Sequence, residues 1–158
     1  MTKADFLRKL YGEQKLHIIA PNLALADSYA QKSNSNIESA RILHTANRFE
    51  ESVSLIYYSM YNMVMSLLYL TGIKCENHEG AIALINDVFH IENSELIKAK
   101  KERIQKQYSV DFSINTTEVE NAIDVAEQFN SKIANFSAVM DPETIEGYRT
   151  TLKHILAN

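Results

Sequence analysis

Between Lys98 and Tyr108 the sequence reads KAKKERIQKQY, five basic residues around the single acid Glu102, in a chain whose formal net charge is -4. Two of these side chains carry distinctive chemistry. The guanidinium of Arg103 is a planar, permanently charged fork of donors able to make two-pronged contacts. The phenol of Tyr108 joins an apolar ring to a polar hydroxyl. On a helical wheel Ile97, Ile104 and Tyr108 share one face, while Leu96, Lys100, Arg103 and Gln107 line the adjacent flank. Tyr108 is therefore expected on the core stripe with a wet hydroxyl. Arg103 is expected about 140° away, at a boundary where its stem packs and its head stays exposed. Lys98, Glu102 and Lys106 fall on the far side, where solvation is expected. The stretch thus reads either as a solvated helix with a packed edge or as one wall of a ligand groove.

Other chemistries find little support. The five histidines, His17, His44, His78, His90 and His154, never recur at i,i+3 or i,i+4, and no Cys/His spacing suggests zinc. No metal or cofactor is expected. There is no Gly-rich phosphate loop and no nucleophile elbow, and the carboxylates follow helix faces without converging in a pair. Met60, Met63 and Met65 read as filling for a central helix. Cys75, the single cysteine, cannot form an internal disulfide and has no activating neighbour in sequence, which points to a reducing cytoplasm. A pI near 5.7 excludes a global basic field but leaves room for a local basic patch.

The elements that must position these residues are helices. With 158 residues, four Gly, two Pro and no Trp, the chain fits one domain, 1–158, of all-α class. A short amphipathic segment over 3–16 carries Phe6, Leu7, Leu10 and Tyr11 on one side. Pro21 is expected at N1 of a long helix running to Ala46, continuous through the polar stretch Gln31 to Asn36. Asn47 and Arg48 make a corner. A second long helix, Phe49 to Thr71, is apolar nearly all round and stops at Gly72, so it belongs at the centre of a bundle. Its small polar residues Ser52, Ser59, Asn62 and Ser66 form one narrow stripe, which is either a close-packing seam or the lining of a cleft. Asn77 caps a third helix to Phe89, and Asn93 or Ser94 starts the fourth. Thr117 and Glu120 have capping-box spacing for a fifth, to about Met140, and Asp141 with Pro142 starts the last. Val53 to Leu70 is long enough to raise the membrane question, but its serines, Asn62 and four tyrosines favour a buried helix, and no membrane association is expected. Arg8, Lys9, Glu13 and Lys15 interrupt any apolar run near the start, so no secretory leader is expected.

The segments SARILHTANRFEESVSLIYYSMYN, GIKCENHEG with His78, and ERIQKQY with Arg103 and Tyr108 together resemble the HEPN superfamily of small helical bundles. The resemblance covers roughly Leu23 to Ile133. It implies an up-and-down bundle with a four-helix core, to which an N-terminal helix (1–20) and a C-terminal helix (141–158) are appended. It also implies homodimers, an interhelical groove for RNA or nucleotide, and pairing with a minimal nucleotidyltransferase in a toxin-antitoxin-like or regulatory system. Catalytic members of the family are metal-independent ribonucleases with an Arg, a short polar spacer and a His on one helix.

Arg103 fits the Arg position, but no His follows it, and Lys106, Gln107 and Tyr108 stand where Ala-Asp-Tyr is common. A tyrosine with its ordinary pKa of about 10 is a poor general base at neutral pH. The substitute suggested by the resemblance is His78, whose other role would be to cap and pack its turn. Lys100 and Arg103 would hold phosphate, with Gln107 and Asn62 in the same binding set. Tyr108 would stack on a base or accept a nucleotidyl group from the partner enzyme. Two functions follow: a binding and interaction module without confident nuclease activity, or an endoribonuclease using Arg103 with His78 or Tyr108.

Overall fold

A helix that is apolar on every side must be wrapped by others, and this requirement organises the computed structural model, which describes all residues from Met1 to Asn158. The element order is α1 (Lys3–Gly12), β1 (Leu16–Ile18), α2 (Leu23–Thr45), α3 (Phe49–Leu70), β2 (Ile73–Cys75), α4 (His78–Asp87), α5 (Ser94–Tyr108), α6 (Thr116–Ala138) and α7 (Pro142–Ala157). The fold is an all-α bundle. Helix α3 runs through its middle, packed along α2 and against α5 and α6, and 67% of its most apolar stretch is buried.

The polar stripe of α3 is the seam with α2. Ser52 Oγ donates to the Ala40 carbonyl at 2.7 Å, Ser59 Oγ to the Ser33 carbonyl at 2.8 Å, and Ser66 Oγ to the Ala26 carbonyl at 2.7 Å. Both partners of each bond move by one heptad from rung to rung, in opposite directions, as two antiparallel helices in contact require. Small side chains let the backbones approach, and each buried hydroxyl finds a carbonyl. Ser33 Oγ reciprocates to the Ser59 carbonyl at 2.6 Å, which locks the middle rung.

Several boundaries differ from the sequence expectation. Helix α1 ends at Gly12, and Leu16–Ile18 instead forms a strand antiparallel to Ile73–Cys75, with His17 opposite Lys74. The strand exists because of a partner distant in sequence, which local periodicity cannot reveal. Pro21 is not N1 of α2; Asn22 is the N-cap, its side chain accepting from Leu25 N at 3.0 Å. Asn115 takes the role expected of Thr117 and accepts from Glu118 N at 2.9 Å. Helix α2 therefore starts two residues later than expected and α6 two residues earlier, in each case where an Asn side chain satisfies an orphan N–H of the first turn. Asn77 and Asp141 cap α4 and α7 as their sequences indicate.

The largest correction concerns α5. Its inward residues are Leu96 and Ala99, with Arg103 next along that face, whereas Ile97, Ile104 and Tyr108 are 50%, 39% and 78% exposed. Tyr108 is therefore not a core residue. The small Ala99 and the long Arg103 stem allow close contact with α3, and this rotates the more apolar stripe outward. Glu102, expected in solvent, is half-buried toward α6, where burial pushes its carboxyl up.

Candidate functional site

Three elements meet around Tyr57. Helix α3 supplies Tyr57, Tyr58 and Tyr61; the start of α4 supplies His78 and Glu79; α5 supplies Lys100 and Arg103. Tyr57 is fully buried as a residue, and its hydroxyl lies 2.8 Å from His78 Nδ1. The His78 ring stacks on Tyr61, with centroids 4.0 Å apart and planes 6° from parallel. On the other side the Arg103 guanidinium carbon sits 5.5 Å from the Tyr57 ring centroid and 5.1 Å from that of Tyr58. Attraction of a cation to two ring faces holds Arg103 in place without a carboxylate, a contribution of roughly 0.5–2 kcal/mol. No acid pairs with Arg103. Lys100 Nζ is bound instead to Glu79 Oε1 at 2.9 Å.

The placement of His78 depends on local stops in the chain. Gly72 ends the α3 turn with φ of 71°, a left-handed conformation that glycine adopts without strain. The carbonyl of Gly72 accepts from Arg149 Nη1 at 3.1 Å, and the same nitrogen reaches the carbonyls of Ile19 at 2.5 Å and Thr71 at 3.2 Å. Strand β2 then carries the chain to Asn77, whose side chain accepts from Gly80 N at 2.8 Å and starts α4 at His78. A Cβ at Gly80 would collide with Leu10 and the Cys75 sulfur, so glycine is needed for this corner to close on α1 and β2.

Electrostatics follow from this packing. Burial lowers the proton affinity of His78, and the nearby Arg103 and Lys100 lower it further, so the ring is neutral at physiological pH. The Tyr57 and Tyr61 hydroxyls are pushed far above the usual phenol range, chiefly by burial, and stay protonated. The Lys100 hydrogen bond holds the Glu79 carboxyl below its ordinary value. With Tyr57 donating to Nδ1, His78 Nε2 carries a proton and is a neutral donor. In the other tautomer Nδ1–H donates to Tyr57 and Nε2 offers a lone pair. The arrangement supplies an unpaired guanidinium, a neutral imidazole and a second cation tied to an exposed acid, while the rings of Tyr57, Tyr58 and Tyr61 are taken up by Arg103 and His78. It suits an anion.

Of the residues singled out in the sequence, Arg103, Lys100 and His78 come together here. Asn62 is buried at 4% exposure, and Gln107 and Tyr108 are exposed at the end of α5 without side-chain hydrogen bonds. Tyr57, Tyr61 and Glu79 were missed as site residues. The i,i+4 spacing of Tyr57 and Tyr61 marks one face of α3, but only the tertiary structure sets His78 against it. The cavity between α3, α5 and α6, about 170 Å³ and bordered by Glu95, Glu102 and Glu118, opens on the opposite flank of α5. No group of His, Cys, Asp and Glu is arranged to hold a metal ion.

No curated protein and no solved structure gives a match to this chain. A family model described as the HEPN domain matches residues 26–135, more than half of the chain, from the first turn of α2 into α6. The match includes every residue of the Tyr57, His78 and Arg103 cluster and excludes α1, β1 and α7. The chain belongs to the HEPN domain family.

Proposed function

We propose that this HEPN protein is a nucleotide- or RNA-binding and protein-interaction module, the partner of a nucleotidyltransferase in a toxin-antitoxin-like or regulatory pair. The observation that carries the binding reading is Arg103, held over Tyr57 and Tyr58 beside His78 with no carboxylate to neutralise it. A guanidinium kept unpaired and oriented is ready for a phosphate oxygen. Isothermal titration with adenine nucleotides and short oligoadenylate tests it. Arg103→Ala should lower affinity at least about tenfold, the loss of a charged hydrogen bond, while the helical CD spectrum is unchanged. Equal affinity in the variant would remove Arg103 from the site.

The chain acts as a homodimer in the cytoplasm in this reading. Support for dimerisation is the exposed stripe of Ile97, Ile104 and Tyr108 beside the Arg103 face, at spacings that keep it on one side of α5. A second copy would cover it. Ile104→Asp should give a monomer in sedimentation velocity, and an unchanged profile would place any self-association elsewhere. Pairing with a nucleotidyltransferase rests on family resemblance, and co-purification with a neighbouring-gene product of that class tests it.

A second reading is favoured by the Tyr57 to His78 hydrogen bond: a metal-independent endoribonuclease. In the tautomer with Nδ1–H donating to Tyr57, His78 Nε2 would take the proton of a ribose 2′-hydroxyl as its oxygen attacks the adjacent phosphorus. The 5′-oxygen would leave and take up a proton from solvent, and Arg103 would hold the phosphate oxygens. His78→Ala should abolish cleavage of a labelled oligoribonucleotide that the wild type cuts without added metal.

A further inference from the structure

The two cations of the cluster are not equivalent. Arg103 has no acidic partner, whereas Lys100 already holds Glu79 at 2.9 Å. The exposure of that pair is lopsided: the Lys100 side chain is 18% exposed and that of Glu79 is 70% exposed. Glu79 is therefore the member that can leave, since its carboxylate returns to water at little cost while Lys100 stays against the protein. With Glu79 in place, the cluster of Arg103, Lys100, Glu79 and neutral His78 has one net positive charge. With Glu79 swung out it has two.

An internal phosphodiester carries one negative charge, which Arg103 alone balances, so it gains little by displacing Glu79. A terminal phosphate monoester carries nearly two charges at neutral pH and has an additional oxygen to offer. It can bond Arg103 and exchange its second charge for Glu79 on Lys100. We infer that this site selects phosphate monoesters, and that Glu79 sets the selectivity by occupying Lys100 until a doubly charged ligand displaces it. This rests on the reading of Arg103 as an anion contact and goes beyond it by naming the kind of phosphate bound. The monoester belongs either to a free nucleotide or to the phosphorylated end of an RNA strand.

The experiment is calorimetric titration of the full chain, wild type and variants, with 5′-AMP, with the dinucleoside monophosphate ApA, and with adenosine as the uncharged control. Wild type should bind 5′-AMP about tenfold more tightly than ApA, the scale of one further charged hydrogen bond. Lys100→Met should erase that preference. Glu79→Gln should raise 5′-AMP affinity about two- to fivefold, and should give no gain when combined with Lys100→Met. Equal affinity for 5′-AMP and ApA overturns the inference. So does a Glu79→Gln gain that persists with Lys100→Met, because Glu79 would then act through its field and not by occupying Lys100. Arg103→Ala separates the two levels: if it leaves 5′-AMP binding intact, the anion site itself is wrong. If it removes binding of both ligands while they bind wild type equally, only the monoester selectivity fails. A 5′-phosphorylated tetraadenylate that binds more tightly than 5′-AMP assigns an RNA end, and one that does not assigns a free nucleotide; both outcomes support a monoester site. Helical CD spectra of all variants check that these changes leave the fold intact.

Discussion

The Tyr57 hydroxyl meets His78 Nδ1 at 2.8 Å, joining a residue in the centre of α3 to the first residue of α4. This bond orients the imidazole, and stacking on Tyr61 fixes its plane. Tyr57→Phe should keep the fold, cost about 0.5–1.5 kcal/mol in urea unfolding, and change the His78 tautomer balance seen by nitrogen-15 NMR. An unchanged His78 spectrum would mean that the bond does not orient the ring.

Because folding lowers the pKa of His78, the unfolded chain holds more protons at this position as pH falls below the ordinary histidine value. The sign follows: His78 makes no demand on stability above about pH 6.5, its unfolded value, and destabilises the fold as pH falls through that value toward the lower folded one. Urea midpoints for wild type should drop between pH 7.5 and pH 5.5 more than those for His78→Gln. Parallel curves for the two proteins would contradict the lowered pKa.

Arg103 and Lys100 both contribute to that lowering, after burial. Replacing Arg103 with Gln, which keeps much of its volume, should raise the His78 midpoint in an NMR titration, and Lys100→Gln should raise it less. No movement with Arg103→Gln would place the guanidinium farther from His78 than the structure has it.

The middle rung of the serine seam carries more than its neighbours. Ser59 Oγ donates to the Ser33 carbonyl and accepts from Asn130 Nδ2 at 2.9 Å, while Asn130 Oδ1 is buried without a partner. Ser59→Ala leaves these polar groups short of a partner and should cost about 1–3 kcal/mol. Ser66→Ala, at a partly exposed position, should cost less. The comparison is read from urea midpoints, and equal losses would argue against a special middle rung.

Gly72 combines a left-handed backbone with space already filled by the Arg149 guanidinium and the Ile19 carbonyl. Gly72→Ala should destabilise by about 2–3 kcal/mol, a large fall in thermal midpoint for a chain of this size. A shift of less than a degree would show that the α3 to β2 turn has room to rearrange.

The sequence by itself determined the all-α class, the central place of Phe49–Leu70, the caps at Asn77 and Asp141, and membership of the HEPN family. Each of these rests on information local to one segment or on the order of segments. Scarce Gly and Pro favour long helices, an apolar circumference demands burial, and an Asn or Asp before a helix bonds an N–H within the next turn. Tertiary structure decided what depends on partners remote in the chain. It turned Leu96 and Ala99 of α5 inward and left Ile104 and Tyr108 outside, because the wheel fixes angles between residues but not which side meets α3. The strand Leu16–Ile18 formed because Ile73–Cys75 was there to pair with it. The site belongs to the same class: Tyr57, His78 and Arg103 lie on three helices, and only the packing of those helices sets an imidazole and an unpaired guanidinium around one buried phenol.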